Sequence, residues 1–360
     1  MTEIVEDSFR QMKYTKETKS VTKPKIRKRK KFIITVSVAG GIILLLYFFL
    51  INFLVSAALV PSFMEKLKAF ERITEDSYAA QVQTSDIQVN RQLALNETNA
   101  WLETVESRLI SVISGDGYAL AAREFFSRED SHVWVLVLHG YTGWKEEMYP
   151  FACWYYGEGY HVVVPDLRCQ GESDGDFIGM GWTDHYDCML WINHILAQDE
   201  EAQIIIHGQS MGAATALMLT GEENLPDNII AVVSDCAYTD AYSMFGEKIE
   251  EWFHLPAFPL VDSACVVLKL RGGYNLKDAS AIRAVARSSV PTLFIHGEDD
   301  AMINVQMARN LYEEAACRKE LLIIEGAGHA QAQDKEPEVY YARIREFLQE
   351  AMRLSGRIDS

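Results

Sequence analysis

Short apolar runs alternate with helix-like segments along residues 101–355. The apolar runs predict buried strands at Val133–Leu138, His161–Val164, Ile204–Ile206, Ile229–Val233, Thr292–Ile295 and Glu320–Glu325. The segments between and after them predict helices at Trp144–Gly157, Trp182–Ala197, Met211–Leu219, Val305–Cys317 and Pro337–Met352. Strands that alternate with helices in this way indicate a mostly parallel sheet covered by helices on both faces. Ahead of them, Gly115-Asp116-Gly117 predicts the turn of an opening hairpin. The pattern therefore predicts an α/β domain over 101–355.

A longer apolar run precedes this domain. Phe32–Val60 contains no Asp, Glu, Lys or Arg, and about 20 such residues cross a bilayer as a helix. Lys23–Lys31 holds seven basic residues in nine, so the positive-inside rule predicts a cytosolic tail at 1–31 and an extracytoplasmic main domain. Val55-Ser56-Ala57 resembles a signal-peptide cleavage site, and cleavage therefore stays an open alternative. We predict a single-pass anchor in the cell membrane at 32–60.

A stalk or linker is predicted between the anchor and the domain, over 61–100. Pro61 should end the span, and Glu65–Gln83 has the mixed charge of a stalk helix. Residues 84–100 are rich in Gln, Asn and Thr, which predicts an irregular approach to the domain.

Charge and cysteine content exclude some classes of function. The net charge of the 360 residues is −17, and residues 1–31 alone contribute +7, so the rest carries −24. An acidic body argues against nucleic acid as a partner. The six cysteines are scattered singly, which favours free, buried thiols over a disulfide framework. The histidines lack metal-ligand spacing, and we predict neither a metal nor a cofactor.

One stretch has the pattern of a nucleophile elbow. Gly208-Gln209-Ser210-Met211-Gly212 follows the apolar run Ile204–Ile206 and leads directly into a helix-forming segment. Such a strand–turn–helix holds the central serine in a tight turn above the sheet, and small residues are needed where the three parts crowd together. Ser210 is therefore the candidate nucleophile.

Other polar groups follow later strands. The strand ending at Ile295 leads into Asp299 and Asp300, and the strand ending at Glu325 leads into His329. A serine needs a base to take its proton, and the histidine needs a carboxylate to orient it. Backbone N–H groups must also stabilise the oxyanion, and we predict those of Met211 and Tyr141.

Residues of about 105–352 resemble the α/β-hydrolase superfamily, nearest to serine aminopeptidase- and esterase-like bacterial hydrolases with a membrane anchor. The resemblance rests on five motifs in order: His139–Tyr141 with Lys145–Met148, Pro165–Arg168 with Gly171–Gly175, the elbow, His296–Glu298 with Asp300, and Gly326–Ala330. It implies Ser210 as nucleophile, Asp300 as acid, His329 as base, and Tyr141 and Met211 as oxyanion donors. The family spacing selects Asp300 over Asp299, which remains the alternative acid. Cys169-Gln170 departs from the Gly-His usual at that position of the family.

Two further interpretations concern the surroundings of the site. Asp166 and Arg168 are expected to form a buried ion pair that ties their loop to the sheet edge. Residues 241–289 are expected to form a short lid, because they lie between two strands of the sheet. The lid carries the apolar residues Phe245, Trp252, Phe253, Leu255, Phe258, Leu260 and Leu268. A partly apolar lid suits an acyl chain or an aromatic acid.

The resulting hypothesis is a serine hydrolase that cleaves a small carboxylic ester through an acyl-enzyme. An aminopeptidase, an amidase or a thioesterase would use the same three residues. From another class of function, a non-catalytic membrane-anchored binding module with this fold also remains open.

Overall fold

The computed structural model describes residues 3–71, 86–128 and 131–354. The chain divides into two compact units, Met1–Leu54 and Val55–Ser360. The helices are α1 Glu3–Leu59, α2 Pro61–Glu71, α3 Asp86–Leu102, α4 Tyr149–Gly157, α5 Asp184–Gln198, α6 Met211–Leu219, α7 Ala241–Phe253, α8 Ala257–Gly272, α9 Ala281–Val285, α10 Val305–Glu314, α11 Ala332–Lys335 and α12 Pro337–Leu354. The strands are β1 Ser107–Ile113, β2 Ala119–Phe125, β3 Val133–Leu138, β4 His161–Pro165, β5 Gln203–Gln209, β6 Ile229–Asp235, β7 Thr292–Gly297 and β8 Lys319–Ile324.

The second unit is built on one eight-stranded sheet in the order β1-β2-β4-β3-β5-β6-β7-β8. β1 and β2 form the predicted antiparallel hairpin, and β2 also runs antiparallel to β4. From β4 to β8 all neighbouring strands are parallel. The apolar side chains of the inner strands are fully buried, as expected for a parallel sheet with helices on both faces. The predicted α/β fold is confirmed.

Three strands, β5, β6 and β7, extend beyond their apolar runs, and β5 reaches Gln209. β6 continues through Ser234 to Asp235, and β7 continues through His296 to Gly297. These polar residues are buried and still pair in the ladder, Gly208 with Ser234 and Gln209 with Asp235. Because the carboxyl ends of parallel strands share one edge of the sheet, the loops after β5, β7 and β8 begin close together.

The irregular approach predicted over 84–100 is wrong from Asp86 onward, because α3 begins there, and residues 84 and 85 lie outside the described residues. Most of its side chains are exposed, but Asn90 and Arg91 donate to the Asp334 carbonyl and carboxylate, and the buried Thr98 donates to the Ala94 carbonyl. At its C-terminal end, the Trp101 ring contacts the rings of Phe125 and Tyr156 in tilted arrangements. A single packed face is enough to stabilise a helix whose composition is otherwise polar. Of the predicted stalk helix, Glu65–Glu71 lies in α2, and the rest falls outside the described residues.

The first unit is helical throughout its described part. α1 includes a stretch, Lys28–Leu59, whose 32 residues are long and apolar enough to cross a membrane. The large apolar side chains from Phe32 to Leu50 are mostly exposed, for example Phe32 at 69% and Leu44 at 70%. An apolar helix with exposed side chains differs from a core helix, which would be buried on its apolar face.

Candidate active site

Ser210 lies in a strained turn between β5 and α6. Its φ of 55° and ψ of −116° fall outside the regions that L-residues favour. Two glycines make the turn possible: a Cβ on Gly208 would lie 2.2 Å from the Gly212 carbonyl oxygen, and one on Gly212 would lie 2.3 Å from that of Leu138. The Ser210 N–H donates to the Asp235 carbonyl at 2.8 Å, which fixes the turn to β6. The hydroxyl thus stands at the carboxyl edge of the sheet.

The structure brings Ser210, His329 and Asp300 into one chain of hydrogen-bonding contacts. His329 Nε2 lies 3.0 Å from Ser210 Oγ, and His329 Nδ1 lies 2.8 Å from Asp300 Oδ2. The Asp300 side chain is fully buried and that of His329 is 25% exposed. The three residues come from the loops after β5, β7 and β8. This geometry is that of a nucleophile, a base and an orienting acid.

Asp300 is held as a carboxylate by its neighbours. Its Oδ1 accepts from the N–H groups of Met302 and Ile303, each at 2.8 Å. Burial alone would raise its pKa, but the hydrogen bonds from His296 and His329 hold the pKa well below its usual value. Asp299, the alternative acid, is exposed, and its N–H donates to the Ala327 carbonyl. Of the two acids, the structure brings Asp300 to the histidine.

The two predicted oxyanion donors flank the serine. Met211 is the first residue of α6, and the amides of a first helical turn have no partner within the helix. On the other side, Gly140 approaches so closely that a Cβ on it would lie 3.4 Å from Ser210 Cβ. Tyr141 follows Gly140 in the loop His139–Gly143, which we call the oxyanion loop. The Tyr141 hydroxyl donates to the Ala58 carbonyl, and burial raises the pKa of Tyr141 to about 12.

Buried polar contacts hold the oxyanion loop. His139 Nδ1 donates to the Gly140 carbonyl at 2.7 Å, and its Nε2 accepts from the Leu167 N–H at 2.9 Å. Burial lowers the pKa of His139 to about 4, so the ring stays neutral. The buried Lys145 follows the loop, and both its N–H and its ammonium group donate to Asp166 at 2.7 Å.

The predicted ion pair between Asp166 and Arg168 is wrong. Asp166 pairs with Lys145, and Arg168 pairs instead with Asp187 at 2.8 Å and with Asp116. Their side chains serve different contacts although they are two residues apart, because the chain turns here, with the Gln170 N–H donating to the Leu167 carbonyl at 3.1 Å.

Sequence reasoning missed Cys236 as a neighbour of the site. This buried residue follows β6 directly and has a φ of 51°. Its Sγ, a carboxylate oxygen of Asp300 and a ring nitrogen of His329 lie within 4.8 Å of one another, close enough in principle to hold a metal ion. The sequence feature that could have identified Cys236 is its position at the carboxyl end of a strand. All six cysteines lie among the described residues and are free thiols.

The model of the alpha/beta hydrolase family matches residues 135–343, more than half of the chain. The chain belongs to this family, as the resemblance of its motifs predicted. The match covers β3 to α12 and so includes every residue of the candidate site.

Individual relatives are more distant. The Bacillus subtilis (strain 168) protein YqkD is 28% identical over 247 residues, which cover 68% of this chain and 80% of YqkD. Lysophosphatidylserine lipase ABHD12 of Macaca fascicularis is 29% identical over 202 residues, 52% of this chain and 46% of the lipase. The chain thus matches about half the length of that lipase.

Solved structures share the fold. The Pyrococcus furiosus esterase Pf2001 superposes with a TM-score of 0.56 at 22% identity, covering 69% of this chain and 93% of the esterase. Est1E from Butyrivibrio proteoclasticus, solved with ferulic acid bound, has a TM-score of 0.53 at 18% identity and covers 68% of this chain and 99% of Est1E. At these identities the likeness establishes a common architecture.

Proposed function

We propose that the protein is a serine hydrolase that cleaves carboxylic esters through an acyl-enzyme. The proposal is carried by the chain of contacts from Ser210 through His329 to the buried Asp300. In acylation, His329 takes the Ser210 proton as Oγ attacks the ester carbonyl. Asp300 fixes the ring with its proton on Nδ1, so that Nε2 is free to accept, and stabilises the imidazolium that forms.

The negative oxygen of the tetrahedral intermediate accepts hydrogen bonds from the Tyr141 and Met211 N–H groups. Collapse of this intermediate breaks the bond to the alcohol, which takes its proton from His329 Nε2. In deacylation, His329 takes a proton from water, the hydroxide attacks the acyl carbonyl, and Ser210 Oγ leaves with that proton. The cycle needs no cofactor, because the alcohol leaves with the original Ser210 proton and water supplies the proton that restores the serine.

We favour an ester over an amide or a thioester because two of the similar proteins are named as a lipase and an esterase. ABHD12 is named a lysophosphatidylserine lipase, and Pf2001 is an esterase. The lid's less exposed apolar residues, Phe245, Leu260 and Leu268, also favour an acyl chain over a charged substrate.

We also propose that α1 anchors the protein in the membrane. The exposed apolar side chains of α1 suit a helix surrounded by lipid, and the basic run before it favours a cytosolic N-terminus. The catalytic domain is then extracytoplasmic. Protease treatment of intact cells should digest this domain and spare the span; full resistance of the domain would contradict the proposed orientation.

The catalytic proposal is tested with Ser210→Ala. The full chain in detergent should hydrolyse p-nitrophenyl butyrate and react with a fluorophosphonate probe. The variant should do neither, because the nucleophile is gone. Turnover that survives in Ser210→Ala would refute the role of this serine, and a wild-type chain inert to both reagents would favour the non-catalytic binding module.

The two neighbouring aspartates provide a matched pair for the acid. Asp300→Asn should reduce kcat about ten-thousand-fold, because the amide favours the wrong imidazole tautomer. Asp299→Asn should stay within about two-fold of wild type, since the Asp299 side chain is exposed and the contact to His329 is made by Asp300. The reverse order of effects would assign the acid to Asp299.

A further inference from the structure

The lid exposes apolar side chains that the catalytic proposal does not use. At the end of α7 and the start of α8, Trp252 is 56% exposed, Phe253 62%, Leu255 47% and Phe258 72%. We call these four residues the lid tip. Several exposed apolar side chains close together along the chain mark a contact surface for another molecule or a membrane, whereas single exposed apolar residues need no explanation.

A second exposed apolar pair lies farther along α8. Val266 is 60% exposed and Leu270 79%, and their spacing of four residues puts both on one face of the helix. From Pro259 to Leu270 the helix rises about 17 Å. Asp262 is the acidic residue of α8, and it is bonded to Lys277 and Tyr242. Basic side chains follow only at the end of α8, at Lys269 and Arg271.

The far end of this surface meets the segment where the predicted span ends. The last turn of α1, Val55–Leu59, belongs to the same compact unit as the lid, and we call it the span exit. Arg271 donates to Ser56 Oγ at 2.9 Å, next to the exposed Leu270. The Leu59 carbonyl accepts from the Ile178 N–H at 2.9 Å. The end of α8 is therefore fixed beside the residues at which the chain leaves the apolar stretch.

The lid also contacts the candidate site. Lys248 of α7 donates to the Ala301 carbonyl at 2.7 Å, and Ala301 directly follows Asp300. Tyr141 of the oxyanion loop bonds to Ala58 in the span exit. The lid and the span exit thus contact two of the loops that carry the candidate catalytic groups.

We propose that the lid tip and the outer face of α8 bind the surface of the lipid bilayer, so that the site takes its ester from the membrane. The inference rests on the proposed anchor, which keeps this surface within reach of the bilayer. Aromatic and aliphatic side chains near basic residues are typical of segments that lie at a membrane interface. Glu247, Glu250 and Glu251 are exposed near the tip, and because acidic side chains repel anionic lipid, a zwitterionic surface is the occupant that fits.

The test uses the full chain in phosphatidylcholine nanodiscs. The lid-tip variant Trp252→Ser, Phe253→Ser, Phe258→Ser is compared with the control Leu93→Ser, Leu109→Ser, Ile113→Ser. The control residues are 61%, 57% and 63% exposed, but lie on α3 and β1. Each protein is assayed with p-nitrophenyl palmitate, which partitions into the bilayer, and with p-nitrophenyl acetate, which remains in water.

The lid-tip variant should lose about ten-fold in turnover of the palmitate ester and keep its turnover of the acetate ester, because only the bilayer contact is weakened. The control should match wild type with both esters. Equal losses with both esters, or none with either, would overturn the proposal. So would an equal loss with the palmitate ester in the control.

A second readout does not depend on catalysis. Brominated phosphatidylcholine should quench tryptophan fluorescence more in wild type than in Trp252→Phe, since Trp252 reaches the lipid. Equal quenching would overturn the proposal even if the ester is hydrolysed.

If wild type hydrolyses neither ester but quenching differs as expected, the catalytic proposal fails and the proposed lipid-binding surface is retained. A chain that does not enter the discs overturns both the anchor and the surface. A lid-tip variant with unchanged quenching and half the molecular mass in detergent would instead assign the patch to a second copy.

Discussion

Asp299 and Asp300 show how one position along the chain separates a solvated acid from a buried one. Their chemistry is identical, and the sequence alone distinguished them only through the spacing of a family motif. In the fold, Asp300 receives two backbone N–H bonds and two histidines, whereas the Asp299 side chain is exposed. The difference arises from the turn after β7, which points one carboxylate at the site.

Asp184 is a second buried acid, and its charge opposes folding. Burial, together with the neighbouring Asp187, raises its pKa to about 7. Between about pH 4 and pH 7 the folded chain therefore keeps a proton that the unfolded chain has released. Stability should fall across this window by about 1.4 kcal/mol per pH unit from this one group.

Asp184→Asn should remove this contribution, because the amide can still accept from the Gly181 N–H. We expect the variant to be more stable than wild type at pH 8, and this difference to be much smaller at pH 5. The thermal midpoints of both proteins at each pH measure the difference. The exposed Asp227 gives the control Asp227→Asn, which should follow wild type at both. Parallel pH curves for wild type and Asp184→Asn would contradict the assignment.

At the scale of elements, the oxyanion loop depends on a buried ion pair. Lys145 and Asp166 are 2% and 1% exposed and lie 2.7 Å apart. Lys145→Ala should destabilise the protein by about 3–5 kcal/mol, since it leaves the Asp166 carboxylate buried without its cation. Arg318→Ala breaks the exposed pair with Glu350 and should cost at most about 1 kcal/mol. Chemical denaturation of both variants measures the difference, and equal losses would mean that the buried pair contributes no more than a surface one.

The elements also separate what sequence can predict from what it cannot. Apolar runs marked every parallel strand, because burial on both faces demands such runs. α3 escaped prediction because its stability comes from Trp101 and a few contacts to other elements, which no local pattern records. The partners of Asp166 and Arg168 and the approach of Cys236 to the site depend likewise on how separate loops meet. The roles of Ser210, Asp300, His329, Tyr141 and Met211 stay predictions until variants are assayed.

At the scale of the whole molecule, the end of α1 is part of the second compact unit, which carries the candidate site. Val55 and Leu59 are 3% and 2% exposed. The Ala58 carbonyl holds the Tyr141 hydroxyl, so a cut between the span and the domain is not neutral for the site. Where such a cut falls should decide how well the oxyanion loop is ordered.

Two fragments that differ by six residues test this dependence. A fragment of residues 55–360 keeps the bonds from Ala58, Leu59 and Ser56, whereas one of residues 61–360 loses them. Each hydrogen bond contributes about 0.5–1.5 kcal/mol, and each buried aliphatic side chain adds about 1.5–3 kcal/mol. We therefore expect the shorter fragment to melt at least about 5 °C lower.

The shorter fragment should also turn over p-nitrophenyl acetate more slowly, because Tyr141 is no longer fixed through its hydroxyl. Tyr141→Phe in the longer fragment should reproduce part of the loss in turnover with a smaller loss in melting temperature. Equal melting and equal turnover of the two fragments would show that the end of the helix leaves the site unaffected.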